Sequence, residues 1–359
     1  DHATKGQTLR GVVTLDFAAL DHRLLVSPSF AEGMPEAPRI DVSECMPIPL
    51  NFVGAKPTDP NIWVLDYGDL TVAGETHRSM NSFHADNRNW QEQGFSGNLW
   101  SFSIQFRQTF LEAARDPEAE FTMCYPFTLG EDALPAARDS LKLAVERERL
   151  YRISVNGQTC DFSNASRWFD EEITAVAIGD LVQVGENRIQ LHCKPFHALA
   201  EIMPVYLLGQ FALQPTGQGF LATAAKPLDL GDWTQQGRPF DPRGARYDFT
   251  FKLESPARQL RLELPEVAGS FTIARIDGKA LGQTFREPYT IAAEHHLAPG
   301  EHTLSLEVRG NLKNLLGPHF NDGLPGPWSW GLSPKAQPPG KEYRRYPTGL
   351  MQPPEISFC

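Results

Sequence analysis

The sequence predicts an all-β protein built as two antiparallel β-sandwiches in tandem. Three observations carry that expectation. The first is a repeated strand-and-turn signal: in "RISVNGQ" (152–158), Ile153 and Val155 alternate with Arg152 and Ser154 before Asn156-Gly157, and "FTIARIDGKALG" (271–282) repeats it before Asp277-Gly278. Period-two alternation is the mark of a strand with one wet face, and Asn-Gly or Asp-Gly supplies the two positive-φ residues that a type I′ hairpin needs. The second is a paired Gly-Glu turn, "VGENRIQL" (184–191) and "PGEHTLSL" (299–306), each feeding a strand. The third is punctuation: 29 Gly and 29 Pro are spread without period along the chain, as many short connections require.

Taken in order, residues 9–26 predict two strands, with Val13, Leu15 and Phe17 alternating and Leu24 to Val26 closing the unit. Residues 27–50 are rich in Pro, Glu and Ser and predict a linker or the trailing edge of a preceding domain. From "NIWVLDYGDLTVAGE" (61–75) strand follows strand, through "EFTMCYPFTL", "SLKLAVERE", "ENRIQLHCKPF" and "VYLLGQFAL". A short helix at 107–115, "RQTFLEAAR", is the exception. "QPTGQG" (214–219) marks a break, after which "RYDFTFKL", "QLRLELP", "HTLSLEVRG" and a final "PEISF" form a second series. The expected units are therefore 1–50 as trailing strands or linker, 51–213 as a first sandwich and 214–359 as a second.

Composition narrows the function. At 359 residues and 41% hydrophobic content the chain can bury a sizeable core. A net charge of -11 with no Lys/Arg-rich block argues against nucleic acid or an anionic membrane surface. No run of 18 apolar residues offers a bilayer span. Without a basic segment leading into an apolar stretch at the start, residue 1 is expected to be a mature terminus or a cut within a longer protein. Cys45, Cys124, Cys160, Cys193 and Cys359 have no zinc-like spacing; a disulfide is open to them, and the odd count leaves at least one thiol free or intermolecular. Cys124 and Cys193 lie in strand-like runs, as buried thiols do.

No serine-nucleophile elbow, zinc-protease motif or phosphate-binding glycine loop is present. Carboxylates are plentiful, but Glu146, Glu148, Asp170, Glu171 and Glu172 sit in charged runs that predict a solvated face. Sugar binding instead needs aromatic faces and amide, carboxylate or guanidinium groups on loops at the end of a rigid scaffold. Two stretches fit. "GPHFNDGLPGPWSWG" (317–331) gathers His319, Asn321, Asp322, Trp328 and Trp330; the tryptophans either meet a ligand or plug the sandwich end, and His319 either meets a ligand or bonds a backbone carbonyl. "HADNRNWQEQGFSGNLW" (84–100) offers Trp90 and Trp100 as a sugar platform or as an interdomain contact. In "RWFDEE" (167–172), Trp168 and Phe169 are expected to cap the core. No cofactor is expected; calcium, a frequent guest of such folds, could use Asp66/Asp69 or Asn321/Asp322, without EF-hand spacing to define a ligand set.

The order of "DPNIWVLDYGDLTVAGE", "RISVNGQ", "VGENRIQL", "PVYLLGQF", "PFDPRGARYDFTF" and "NLLGPHF" resembles the C-terminal part of large bacterial glycoside hydrolases, in particular the family-106-like α-L-rhamnosidase group. The resemblance covers roughly residues 60–359. It implies jelly-roll sandwiches of galactose-binding-like type, an exported protein (extracellular or periplasmic), a carbohydrate ligand, and a preceding catalytic barrel that these residues do not include. No catalytic carboxylate is then carried over to any position here. Three functions follow: a non-catalytic carbohydrate-associated region, an active glycoside hydrolase or lyase with a cleft between the sandwiches, or a purely structural or adhesion module. The missing strand–helix alternation of a barrel favours the first over the second.

Overall fold

A computed structural model of the protein describes residues 45–98, 116–320 and 333–359. The fold is all-β: facing, mostly antiparallel sheets enclose two hydrophobic cores. The strands at 9–26 and the helix at 107–115 lie outside the described residues.

In the first sandwich, an eight-stranded sheet centres on Phe121–Leu129 and Gly185–Cys193, which pair antiparallel along nine residues. Alternation dictates its faces. Asn187, Ile189, Leu191 and Cys193 are buried while Glu186, Arg188 and Gln190 are exposed, so one strand serves the core and the solvent at once. The facing sheet carries Asn61–Leu65, Val205–Gly209 and Lys142–Glu146. Ile62, Leu143 and Leu207 meet Tyr125, Phe127 and Ile189 within a single core. Fully burying one such aliphatic or aromatic side chain stabilises the fold by roughly 1.5–3 kcal/mol. One strand, Phe220–Thr223, joins Phe121–Leu129 in parallel, through Leu221↔Thr128 and Ala222↔Leu129.

The second sandwich sets a five-stranded sheet containing Ala245–Leu253, Gly300–Arg309 and Phe271–Ile276 against a four-stranded sheet containing Ala257–Glu263 and Glu355–Phe358. Phe251 stacks on Phe358 with ring centroids 5.3 Å apart. Asn51–Pro57 pairs with Ala245–Leu253 and forms an edge strand of this sheet. The pairing has a physical basis, because Ala55 is buried in the second core and Phe52 lies against Phe249 with centroids 5.3 Å apart.

Both hairpins turn as the sequence predicts: φ is +52° at Asn156 and +79° at Gly157, then +49° at Asp277 and +77° at Gly278. Asn156 further donates to the Leu181 carbonyl and to Asn187 Oδ1 at 2.9 and 2.8 Å, fixing the turn against the Gly-Glu turn beside it. The main departure is Ser82–Glu92, an 11-residue helix where a loop was expected. Its start is set locally, because Asn81 is extended and its side-chain oxygen accepts from Phe83 N–H, the ordinary N-cap arrangement. Few of its residues are apolar, so periodicity gives little notice of it.

Cys45 and Cys359 form a disulfide across 314 residues, beside the pairing of Met46–Ile48 with Glu355–Phe358. Cys124, Cys160 and Cys193 remain free and buried, and burial pushes all three thiols up, Cys160 to about 11. Closing so long a loop restricts the unfolded chain, so the Cys45→Ser/Cys359→Ser variant is expected to lose about 2–4 kcal/mol. Urea unfolding under oxidising conditions checks this; an unchanged midpoint would refute it.

Candidate functional site

The residues singled out in the sequence divide sharply. Trp90 faces inward from its helix at 0% exposure, with its ring edge-on to Phe95 and Phe196 at centroid distances of 5.3 and 5.1 Å. Its faces are spent on the core and none is presented to solvent. His319 is also buried: its Nε2–H donates to the Asn314 carbonyl at 2.8 Å, and its Nδ1 lies 3.7 Å from Asp66 Oδ2. Asn321, Asp322, Trp328, Trp330 and Trp100 lie outside the described residues. Trp168 lies 5.1 Å from Tyr206, while Phe169 is 42% exposed.

Two polar clusters surround these residues. Around His319, Tyr343 donates to Asp66 Oδ1 at 3.0 Å, and the Tyr343 and Phe240 rings flank the imidazole. Beside the helix, Asn98 Nδ2 donates to Asp86 Oδ2 at 2.7 Å and to Glu201 Oε1 at 2.9 Å, while Ile202 N–H donates to Asp86 Oδ1 at 2.9 Å. Burial, above all, pushes the Asp86 carboxyl up to about 7. Glu146, expected on a solvated face, is only partly exposed and lies 3.5 Å from Arg147, which also meets Glu172 and Glu201; burial raises its carboxyl too. Both clusters are largely enclosed, so they organise the fold more readily than they receive a ligand.

An open site lies elsewhere, where outward residues of the eight-stranded sheet meet the segment around Gln337. A cleft of about 230 Å³ reaches the edges of Trp63, Leu65, Tyr67, Phe127 and Phe220, all of them core residues at 3–6% exposure. Its rim carries Asp69, Ser79, Glu186, Arg188, Gln218 and Gln337. The sheet places several of these by alternation: Glu186 and Arg188 point outward from Gly185–Cys193, opposite Thr128 and Pro126, and Asp69 sits opposite Cys124. The chain passes closely here, because a Cβ on Gly68 would run into the Cys124 carbonyl.

The rim is held in shape before any ligand arrives. Ser79 adopts φ +53° at an irregular point of the hairpin formed by Tyr67–Val72 and Glu75–Asn81, a backbone region that non-glycine residues seldom occupy. Its N–H donates to Asp69 Oδ1 at 2.8 Å. Its Oγ accepts from Gln337 N–H at 3.0 Å and from Gln218 Nε2 at 3.3 Å. Gln337 belongs to a segment that crosses from the second sandwich and is fastened by Gly219 N–H donating to Pro338 O at 2.9 Å. Arg188 Nε donates to Glu186 Oε1 at 2.7 Å, which closes the opposite side. Convergent carboxylate, guanidinium, hydroxyl and amide groups at the mouth of a small cleft can bind a polyhydroxylated molecule through its hydroxyls.

Sequence reasoning missed this rim. The outward register of Glu186 and Arg188 was available from the alternation in "VGENRIQL"; the arrival of Gln337 beside Ser79 depends on a contact 258 positions apart and leaves no local trace. Among the described residues, no group of three or more His, Cys, Asp or Glu side chains is placed to hold a metal ion, and no helix is long and apolar enough to cross a membrane.

No family model matches the chain, and no curated protein matches it. Partial likeness exists to solved structures. A β-D-mannosidase from Dictyoglomus thermophilum shares 13% identity over 70% of this chain and 31% of its own, at a TM-score of 0.27. An exo-chitosanase from Amycolatopsis orientalis shares 9% over 69% and 29%, at 0.27. A rhamnosidase from a Novosphingobium species shares 15% over 75% and 29%, at 0.25. This chain thus spans less than a third of each of those proteins, and at these scores the likeness carries no argument about what it does.

Proposed function

We propose that this chain is a carbohydrate-associated β-sandwich region of a glycoside hydrolase, which holds a saccharide or braces a companion catalytic domain without performing hydrolysis itself. The observation that carries the reading is the cleft, where a prefastened rim of Asp69, Ser79, Gln218 and Gln337 brings carboxylate, hydroxyl and amide groups together. The order of sequence blocks resembling the family-106-like α-L-rhamnosidase group supports the kind of parent enzyme. The disulfide between Cys45 and Cys359 supports an exported, extracellular or periplasmic setting, because such bonds persist in oxidising compartments.

Affinity electrophoresis and a glycan array test the reading directly. Binding to at least one glycan is expected, and the Gln218→Ala/Gln337→Ala variant, which removes both side-chain amides but leaves the Gln337 backbone N–H on Ser79, should weaken it about tenfold, with each lost side-chain hydrogen bond contributing roughly 0.5–1.5 kcal/mol. A Trp328→Ala variant probes the 317–331 loop proposed from sequence; loss of binding there and not in the double variant would move the site. Turnover of aryl glycosides that disappears in Asp69→Asn would overturn the non-catalytic assignment.

A further inference from the structure

We infer that the cleft selects a single sugar ring that bears no negative charge, and that Asp69 sets this selectivity; the inference rests on the reading of the cleft as a saccharide site. Size comes first. A space of about 230 Å³ falls below the ~300–1,000 Å³ typical of sites that enclose drug-sized ligands. It accommodates one ring, as at a chain end, and leaves the remainder of a glycan outside.

Charge comes next. Three ionisable side chains line the rim: Asp69, Glu186 and Arg188. Arg188 is committed to Glu186, because its Nε and Nη2 both reach Oε1 at 2.7 Å. That pair is locally neutral, and among the described residues Asp69 has no salt-bridge partner. One oxygen of Asp69 is occupied, Oδ1 by the Ser79 N–H at 2.8 Å. The same bond fixes the carboxylate in direction, and Ser79 is itself anchored from two sides by Gln218 and Gln337. Oδ2 is then the group that meets a ligand, as an acceptor for hydroxyl or ammonium donors.

A carboxylate that cannot rotate away repels a second one. With unit charges ~5 Å apart at the edge of the protein, Coulomb repulsion is sufficient to weaken a uronate by about tenfold or more against the matching neutral sugar. The same field favours an ammonium-bearing ring, and the net charge of -11 on the whole chain acts in the same direction.

The test compares methyl glycosides of a hexose, the matching 2-amino-hexose and the matching hexuronic acid, in the configuration that a glycan array identifies, at low salt and pH 6. The expected order is amino sugar, then neutral sugar, with the uronate at least tenfold weaker. Asp69→Asn, which keeps an acceptor for Ser79 N–H, should bring the uronate to within about twofold of the neutral sugar. Glu186→Gln, which frees Arg188, should narrow the gap independently. If the wild-type protein binds the uronate as tightly as the neutral glycoside, this inference is overturned while saccharide binding stands. An order that neither variant changes overturns it as well, because the ligand then lies away from this rim. If no glycan binds at all, the saccharide reading itself fails, and this inference with it.

Discussion

Replacing Arg238 by alanine is expected to remove about 3–5 kcal/mol of stability, the usual consequence of stranding one member of a buried ion pair. Arg238 and Asp241 are 6% and 1% exposed. The guanidinium donates to Asp241 Oδ2 through Nε at 2.7 Å and to the Asp59 carbonyl through Nη2 at 2.8 Å. Burial raises the Asp241 carboxyl even with the arginine beside it, so without Arg238 a desolvated carboxylate would lose its paired cation. The segment also crosses between cores, since Trp233 and Ala245 belong to the second and Phe240 to the first. The loss should therefore appear as a lower denaturant midpoint for the whole chain. The deficit should shrink as the pH is lowered, because Asp241 can then take up a proton. An Arg238→Met/Asp241→Leu double variant should lose less than the single one. A single variant within 1 kcal/mol of wild type would show that the pair stabilises little.

How much of this was legible beforehand depends on the range of the interaction. Asn156-Gly157 and Asp277-Gly278 encode their hairpins in two residues each, because only the local φ requirement has to be met. The strands at 185–193 and 300–309 announce both existence and facing through alternation. The helix at 82–92 was hidden because its buried side is made of Ser82, Ala85, Asp86, Asn89 and Trp90, mostly small or polar. Those polar residues find partners far along the chain, Ile202 for Asp86 among them. Trp90 illustrates the same limit: a tryptophan amid polar residues suggested a platform or an interdomain contact, and the helix turns it inward against Phe196. The cleft was half visible. Its outward strand residues follow from register, but its rim closes only when the segment around Gln337 crosses back onto the first sandwich.

That hidden polar side makes a second large effect measurable. Asp86 titrates ordinarily near 3.8 and is pushed up to about 7 in the folded chain, first by burial and further by the Glu201 charge, against hydrogen bonds from Ile202 and Asn98. Between those values the folded state holds a proton that the unfolded state has released. The associated stability is therefore fully present below about pH 4 and is lost as the pH rises through 7. At 1.36 kcal/mol for each unit, the change is about 4 kcal/mol. Glu146 is raised in the same direction and Asp277 is lowered, so the raw pH profile sums several groups. Subtraction isolates this one: relative to Asp86→Asn, wild-type stability should fall by about 4 kcal/mol from pH 4 to pH 8. Ionisation strengthens the hydrogen bonds that Asp86 accepts from Asn98 and the Ile202 amide, so the loss reflects desolvation of the charge and not release of the helix. Parallel profiles for the two proteins would mean that Asp86 is already ionised in the folded chain at acidic pH, with Asn98 and the Ile202 amide sufficient to hold the charge.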